Sequence, residues 1–204
     1  PVTVTLAASD EGSGVEKTFY RLGSSGTYRQ YDEAAKPVVS RGGETSVWYY
    51  STDNAGNTET AKSLAVKIDR QAPSTRLSGL PRSAWTNRAV FLTFAAFDLG
   101  GSGLARTEYQ LDSGEWTIAS GLTIIADGIH TLSYRSIDSA GNLEALRSAT
   151  VRIDTGVPTS TASEDVTAFR RRSALLPFEI GDPLPSCGTA KVTIAIKRDA
   201  TTVK

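Results

Sequence analysis

Residues 50–57 read Tyr-Ser-Thr-Asp-Asn-Ala-Gly-Asn, and residues 135–142 read Arg-Ser-Ile-Asp-Ser-Ala-Gly-Asn. The two copies share Ser-x-Asp-x-Ala-Gly-Asn, and their aspartates lie 85 residues apart. An Ile-Asp-x-x-x-Pro segment follows each copy at the same spacing, at residues 68–73 and 153–158. A fixed period of this length predicts a tandem array, because each copy marks the same place in one structural repeat.

The period divides the 204 residues into two near-complete repeats and a partial third. Repeat 1 spans residues 1–70, repeat 2 spans residues 74–155, and the partial repeat 3 spans residues 158–204. Segments of alternating apolar and polar residues, separated by Gly, Asp, Ser and Asn clusters, predict strands and no helix. Repeat 2 has seven such segments, at residues 75–79, 89–97, 105–111, 115–118, 122–126, 129–137 and 145–153.

The alternation has the same register in repeats 1 and 2. The predicted inward positions of one strand are apolar in both: Val2, Val4, Leu6 and Ala8 in repeat 1, and Val90, Leu92, Phe94 and Ala96 in repeat 2. Because a slip of one residue would turn every side chain over, a shared register indicates a shared fold. Seven short antiparallel strands in about 85–100 residues match an immunoglobulin-like sandwich in size. The sequence therefore predicts an all-β chain of tandem immunoglobulin-like (Ig-like) β-sandwich domains.

Repeats 1 and 3 depart from this pattern. Repeat 1 begins at its second strand, so its first strand is missing and an unpaired sheet edge is expected. Repeat 3 offers three strands, at residues 166–169, 174–180 and 191–197, and its Phe178 and Asp182 match Phe94 and Asp98 of repeat 2. Because the sequence starts and stops within strand patterns, it reads as a fragment of a longer protein.

The motifs resemble those of a known group of repeats. Asp-x-Gly-Ser-Gly occurs at residues 10–14, and Tyr-x-Ser-x-Asp-x-Ala-Gly-Asn occurs at residues 49–57 and 134–142. Together with the Ile-Asp-x-x-x-Pro linkers, they resemble bacterial Ig-like tandem repeats of the OmpL47 and Big types; repeat 3 resembles a different Ig-like module. The resemblance implies an Ig-like fold and an extracellular or cell-surface location. Such repeats occur in adhesins, in stalks and in accessory regions of secreted enzymes.

The composition excludes several classes of partner. With 22 basic and 22 acidic residues the formal net charge is zero, which argues against nucleic acid and anionic membranes. No apolar run approaches the roughly 20 residues that a membrane helix needs. The single cysteine, Cys187, rules out an internal disulfide, so it is either a small loop residue or half of a disulfide with a partner beyond residue 204.

Nothing in the sequence predicts catalysis. The only histidine, His130, falls on a predicted strand and is expected to have no functional role. There is no Gly-x-Ser-x-Gly, no His-Glu-x-x-His, no phosphate-binding loop and no Cys-His metal spacing. We therefore expect a chain that is not an enzyme.

The loops rich in aspartate are the polar segments that recur at the same places in both repeats. They follow the second and sixth strands, which run in the same direction in an alternating sandwich, so both loops emerge at one pole of each domain. The linker that enters the domain arrives at that pole too. Asp69 should therefore lie near Asp98 and Asp138, and Asp154 should approach Asp182.

Two interpretations of these loops remain open. Asp and Asn accept hydrogen bonds from their own backbone two residues on, and Gly supplies a positive φ, so turn chemistry alone explains them. Alternatively, Ca²⁺ takes six to eight oxygen ligands from carboxylates, amides and carbonyls. The calcium hypothesis places an ion between domains at Asp69, Asp98, Asp138 and Asn142, and a second at Asp154 and Asp182; related tandem adhesin repeats are similar in carrying calcium at such junctions.

Aromatic side chains suggest a further surface. Trp48 and Tyr50 point away from the face of Tyr49 in the predicted strand, so they either stack on a glycan or protein ligand or cover the edge left by the missing strand. Ser133 and Arg135 stand at these positions in repeat 2.

The sequence thus favours a non-catalytic spacer or adhesion array whose first partners are the neighbouring domains of the same chain. The alternatives are an accessory carbohydrate-binding region of a secreted hydrolase, or a self-associating subunit of a surface layer or filament in which strand donation between chains completes repeat 1.

Overall fold

A computed structural model describes residues 1–162, 177–188 and 192–193, and every regular element within them is a β-strand. None of these residues forms a helix that could span a membrane. The chain forms two compact bodies: body 1 comprises Pro1–Arg76, Ala95–Glu108 and Arg135–Leu146, and body 2 comprises Leu77–Phe94, Tyr109–Tyr134 and the described part of Arg147–Lys204. The bodies do not follow the repeat boundaries, which stay a prediction.

Repeat 1 contains six strands: β1 (Val2–Thr3), β2 (Val15–Leu22), β3 (Arg29–Gln30), β4 (Val38–Val39), β5 (Gly43–Asp53) and β6 (Lys62–Ile68). Four of them form a sheet in the order β3-β2-β5-β6, and β1 pairs with β4. The core is small, with four buried valines, Val4, Val39, Val47 and Val66. The predicted inward register holds at Val4 and Leu6 but is wrong at Val2, which is 41% exposed, and at Ala8. The second sheet of repeat 1 has only two strands, β1 and β4, so Val2 and Ala8 remain exposed to solvent.

Repeat 2 contains the seven predicted strands, each within three residues of its expected bounds: β7 (Ser74–Ser78), β8 (Val90–Phe97), β9 (Leu104–Leu111), β10 (Thr117–Ile118), β11 (Gly121–Ile124), β12 (Gly128–Asp138) and β13 (Arg147–Ile153). They form two sheets, in the orders β11-β8-β7 and β10-β9-β12-β13. Three strands against four is the Ig-like sandwich arrangement, with β10 beside β9 as an extra edge strand. The predicted fold class is confirmed.

The core of repeat 2 lies in body 2. Alternate residues of β8 are buried, whereas Phe91 between them is 69% exposed, so the predicted register of this strand is confirmed there. The buried residues of β8 pack against residues of β11, β12 and β13. The buried cluster is Val90, Leu92, Phe94, Ile124, Leu132, Tyr134, Val151 and Ile153. Twice as many buried side chains as in repeat 1 make this the main hydrophobic contribution to stability.

Two strands follow repeat 2, and they pair antiparallel: β14 (Thr159–Ala162) and β15 (Phe178–Gly181). β15 coincides with the end of the strand predicted at 174–180. β14 was not predicted, although Pro158 precedes it as Pro73 precedes β7. The predicted strand at 166–169 lies outside the described residues, as does most of 191–197, of which residues 192–193 carry no strand.

Candidate functional site

The linker after β6 is fastened to a loop of repeat 2 by one carboxylate. Asp69 Oδ1 accepts the backbone N–H of Gln71 at 2.9 Å, and Oδ2 accepts the backbone N–H of Ser102 at 3.0 Å. Hydrogen bonding by Ser102 and then by Gln71 holds the pKa of Asp69 below its usual value, because these bonds favour the charged form. Asp69 is therefore a charged anchor between the linker and the β8–β9 loop.

The β8–β9 loop is shaped around this anchor at Gly100. A Cβ atom at Gly100 would lie 1.9 Å from Asp69 Oδ1, a separation at which something must move. In the equivalent loop of repeat 1, a Cβ at Gly12 would meet nothing closer than 3.6 Å. The requirement for glycine at position 100 thus comes from the linker carboxylate.

Asp98 and Asp138 close their own turns. Asp98 Oδ1 accepts the N–H of Gly100 at 3.0 Å, and Oδ2 accepts that of Gly103 at 2.7 Å. Asp138 accepts both the backbone N–H and the side-chain Nδ2–H of Asn142, each at 2.7 Å. The N–H of Ser139 donates to the carbonyl of Gly103 at 2.8 Å and joins the two loops.

The structure brings these three carboxylates together. Asp69, Asp98 and Asp138 each offer an oxygen within 4.8 Å of the others. All six of their oxygens already accept hydrogen bonds from protein donors, which is what turn chemistry predicts. Their second lone pairs remain available in principle, so calcium at Asp69, Asp98, Asp138 and Asn142 stays a prediction.

The equivalent turn of repeat 1 serves as an internal comparison. Asp53 Oδ1 accepts the N–H of Asn57 at 2.7 Å, and Oδ2 accepts its Nδ2–H at 2.8 Å. Asp10 accepts the N–H of Gly14 at 2.8 Å. These bonds repeat those around Asp138 and Asp98, so the same turn chemistry occurs in both repeats.

The second linker repeats the first. Asp154 Oδ1 accepts the N–H of Gly156 at 3.0 Å, and Oδ2 accepts the N–H of Cys187 at 2.8 Å. Bonding by Cys187 lowers the pKa of Asp154, and in return Asp154 raises the pKa of the Cys187 thiol. Cys187 lies in a loop and takes the place that Ser102 has in the first junction; a disulfide with a partner beyond residue 204 stays a prediction.

Asp182 completes this second cluster. The structure places potential ligand atoms of Asp154, Asp182 and Cys187 within 4.8 Å of one another, and Asp182 accepts the hydroxyl of Ser186. Sulfur is a soft ligand, so Cys187 is a poor ligand for a hard cation such as Ca²⁺. Calcium at Asp154 and Asp182 stays a prediction on carboxylate oxygens alone.

A buried polar network between β7 and the turn after β12 was not predicted from the sequence. Thr75 donates its N–H to Glu144 Oε1 at 2.7 Å and its hydroxyl to Glu144 Oε2 at 2.5 Å. The Ser136 hydroxyl lies 2.6 Å from that of Thr75 and 2.8 Å from that of Thr107. Since the Thr75 proton goes to the carboxylate, Ser136 must donate to Thr75 and Thr107 to Ser136. The signal available beforehand was Glu144 itself, which lies 85 residues after Glu59.

The aromatic residues of repeat 1 form a cluster on the outer face of the β3-β2-β5-β6 sheet. Tyr50 stacks on Phe19 at 5.1 Å and meets Tyr28 edge-on at 4.8 Å between ring centroids. The Arg21 guanidinium lies 5.1 Å from the Tyr28 ring centroid and 5.2 Å from that of Trp48. The hypothesis that they cover the free edge is wrong, because the edge belongs to β1 in the other sheet. In repeat 2 the position of the Phe19–Tyr50 pair carries an ion pair, Glu108 with Arg135 at 2.6 Å.

His130 has a structural role that the sequence did not predict. Its Nδ1 lies 2.6 Å from Asp112 Oδ2, and its Nε2 lies 2.9 Å from the carbonyl of Ala126. Asp112 also accepts the N–H of Thr131 at 2.8 Å, and it has a positive φ of 49° in the turn after β9. Both ring nitrogens face acceptors, and hydrogen bonding to Asp112 raises the pKa of His130, so this turn favours the charged form of the imidazole.

Comparisons with known proteins add little to this geometry. No protein-family model and no curated protein matches the chain. Among solved structures it is similar to fibronectin(III)-like modules of CbhA from Clostridium thermocellum, at 17% identity and a TM-score of 0.35, over 72% of this chain and 82% of that chain. The Ig-like fold is shown by the two-sheet arrangement of repeat 2 itself.

Proposed function

We propose that this chain is a non-catalytic, extracellular spacer or adhesion module of tandem Ig-like domains, in which a linker aspartate fixes each domain to the next. The observation that carries the proposal is the repeated bond pattern of Asp69 and Asp154. Each carboxylate accepts the N–H two residues on and the N–H of a loop residue 33 positions further along the chain. The same bonds in both junctions limit rotation between neighbouring domains. A spacer needs this restriction to keep its domains in line.

In each junction one hydrogen bond crosses from the linker to a loop of the next repeat, and the carboxylate makes it charge-assisted. Without these bonds, a linker of a few residues would leave the domains free to rotate, since interfaces between domains allow motion by default.

The non-catalytic part of the proposal is supported by the state of the one histidine. Both ring nitrogens of His130 are engaged, one by Asp112 and one by the carbonyl of Ala126. A general base needs a free nitrogen within reach of a substrate proton. The bonded histidine instead stabilises the turn that follows β9.

Trypsin cleavage at Arg70 tests the joint cheaply. Arg70 is exposed and lies beside Asp69, so a fixed linker resists the protease and a loosened one is cut faster. We expect Asp69→Ala to raise the cleavage rate at Arg70 several-fold. Asp32→Ala is the matched control, because Asp32 caps a similar turn by accepting the N–H of Ala34, away from any linker. Equal rates for the wild type and Asp69→Ala would contradict the proposal.

Carbohydrate binding is the second candidate, and the aromatic cluster favours it. Phe19, Tyr28, Trp48 and Tyr50 lie on one sheet face of repeat 1. The cation above Trp48 and Tyr28 would have to move before a sugar ring could stack there. Binding of soluble glycans that is lost in Trp48→Ala would favour this candidate, whereas unchanged tryptophan fluorescence across a glycan panel would count against it.

A further inference from the structure

Two unpartnered hydrogen-bond donors single out the aromatic cluster of repeat 1. In the part of the chain that the structure describes, the buried side-chain polar atoms without a hydrogen-bond partner are Arg21 Nε and Trp48 Nε1. Both belong to one cluster, because the Arg21 guanidinium lies 5.2 Å from the Trp48 ring centroid. Buried polar groups of folded proteins nearly always have a partner, so two neighbouring exceptions need an explanation.

The fold does not require this cluster. In the aligned strands of repeat 2, Gln110 stands at the position of Arg21, and Ser133 stands at that of Trp48. Repeat 2 forms its corresponding four-stranded sheet with these polar residues. The aromatic rings and the cation that lies over them are therefore a feature of repeat 1 beyond the needs of the sheet.

The chemistry of the two donors specifies what a ligand must supply. A guanidinium and an indole N–H donate hydrogen bonds and accept none, so the ligand must present acceptors. Within the described residues no ion pair joins Arg21 to a carboxylate, which favours an anionic acceptor. A carboxylate matches the guanidinium because its two oxygens accept two parallel hydrogen bonds.

The contacts of Arg21 allow it to swing outward. Its guanidinium lies over the rings of Tyr28 and Trp48, and its Nη1 donates to the carbonyl of Ser24 at 2.8 Å, in an exposed turn after β2. Outward movement of this side chain uncovers both ring faces and the indole N–H of Trp48. The apolar face of a sugar ring can then stack on the aromatic rings.

The location of the cluster favours a sugar over a peptide. Arg21 lies on β2 and Trp48 lies on β5, the two inner strands of the β3-β2-β5-β6 sheet, and each is paired on both sides. An extended peptide adds to a sheet at an unpaired edge, where its backbone finds partners. A sugar needs no backbone partner, since its hydroxyls accept hydrogen bonds from side chains.

We propose that this cluster binds a sugar acid, that is, a pyranose ring that carries a carboxylate. The sugar ring takes the place of the guanidinium over Trp48 and Tyr28, and one of its hydroxyls accepts the Trp48 Nε1–H. The carboxylate pairs with the displaced Arg21. The site rests on the carbohydrate-binding candidate and is independent of the spacer role. Hexuronates and sialic acids share this chemistry.

Calorimetric titration of the whole chain tests the proposal with a probe for each source. The probes are trigalacturonate and sialyllactose, and their neutral matches are carboxyl-reduced trigalacturonate and lactose. We expect at least one acidic sugar to bind about tenfold more tightly than its neutral match, because the carboxylate adds charge-assisted hydrogen bonds. The indole N–H signal of Trp48 in ¹⁵N NMR spectra should shift on titration, whereas those of Trp85 and Trp116 in repeat 2 should not.

Three variants separate the charge from the ring. Arg21→Gln should weaken the acidic sugar about tenfold and leave its neutral match unchanged, because the neutral ring needs only the aromatic faces. Arg29→Gln is the matched control: it removes an exposed positive charge from β3 and should change neither affinity by more than about twofold. Trp48→Phe keeps a ring without the N–H and should weaken both sugars about fivefold. A cooperative thermal transition of each variant shows that the fold is intact.

The outcomes that contradict the site are distinct. Equal affinity for each acidic sugar and its neutral match, with a shifted Trp48 signal, would overturn the carboxylate assignment and leave carbohydrate binding in place. No binding of any of the probes would overturn the carbohydrate-binding candidate as well. Tighter binding of a triglutamate peptide than of either sugar acid would assign the cluster to an acidic protein partner and contradict the proposal.

Discussion

The carboxylate of Asp69 accepts the backbone N–H of Ser102 at 3.0 Å, across 33 positions of sequence. This bond ties the segment that leaves β6 to the loop that follows β8. The corresponding pair in the second junction has the same separation in sequence and a bond of 2.8 Å. The junction is therefore part of the repeated unit and not an accident of one linker.

The fit of Gly100 against Asp69 predicts a coupled pair of substitutions. Gly100→Ala alone should destabilise the protein by about 1–3 kcal/mol, because its Cβ would lie 1.9 Å from Asp69 Oδ1. In an Asp69→Ala background the same change should cost much less, since the obstructing carboxylate is gone. Urea unfolding of the two single variants and the double variant measures this coupling.

Gly12→Ala is the matched control for that cycle. It lies in the equivalent loop of repeat 1, and its Cβ would meet only an ordinary contact at 3.6 Å. We expect a change of less than about 0.5 kcal/mol, as for a surface substitution. If Gly100→Ala costs the same with and without Asp69, the loop is not shaped by the linker.

The buried network in repeat 2 predicts a large effect from a small substitution. Thr75→Val keeps the shape of the side chain but removes the hydroxyl that donates to Glu144 and accepts from Ser136. The loss should be about 2–4 kcal/mol, because a buried carboxylate loses a donor. Thr93→Val, an exposed threonine of β8, should stay within about 0.5 kcal/mol. Chemical denaturation would contradict the network if the two variants were equally stable.

The positions of the strands along the chain could be predicted from sequence, whereas this network could not. Alternation is a local pattern, and it placed Leu92 inward and Phe91 outward because a strand has a period of two. Thr75 is a polar residue at an inward position, so the alternation alone does not predict its burial. Its burial is favourable because Glu144, 69 residues further along the chain, accepts its hydrogen bonds. The pairing of His130 with Asp112 depends in the same way on a turn that brings distant residues together.

The arrangement of the aspartate loops could be predicted from the sequence only in part. Strand direction placed Asp69 near Asp98 and Asp138, because loops at one pole follow from topology alone. The role of Cys187 did not follow, since it bonds to Asp154 through its backbone N–H and the identity of its side chain carries no signal for that bond. The repeat spacing, which sets Cys187 85 residues after Ser102, was the signal that could have revealed it.

The bond between His130 and Asp112 predicts that stability falls as the pH rises through the raised pKa of the histidine. The pKa of His130 is raised in the folded protein, so its contribution is fully present below the unfolded value of about 6.5 and is lost as the pH rises through the folded value. The pKa of Asp112 is lowered, so its contribution is lost at acid pH instead. Urea unfolding at pH 6 and at pH 8.5 should show a more stable protein at pH 6.

Removing the only histidine checks this assignment. In His130→Gln the difference in unfolding free energy between pH 6 and pH 8.5 should largely disappear. A variant that keeps the full wild-type pH dependence would show that another group is responsible.

The calcium proposal predicts a thermal shift. If an ion bridges Asp69, Asp98 and Asp138, millimolar Ca²⁺ should raise the melting temperature relative to EDTA, since extracellular modules bind calcium with Kd of about 10⁻⁴–10⁻³ M. Asp98→Asn should abolish the calcium-dependent rise in melting temperature. Asp53→Asn, in the repeat 1 turn that corresponds to the Asp138 turn, should leave that rise unchanged. Identical melting curves of the wild type in Ca²⁺ and in EDTA would leave turn chemistry as the full account of these loops.

The most direct test of the central claim is ¹⁵N NMR relaxation of the whole chain, with separate rotational correlation times for repeats 1 and 2. A linker fixed by Asp69 predicts one shared correlation time in the wild type and in Asp32→Ala, and two shorter, different times in Asp69→Ala. Independent tumbling of the two repeats in the wild type itself would contradict the claim that the linker aspartate joins them.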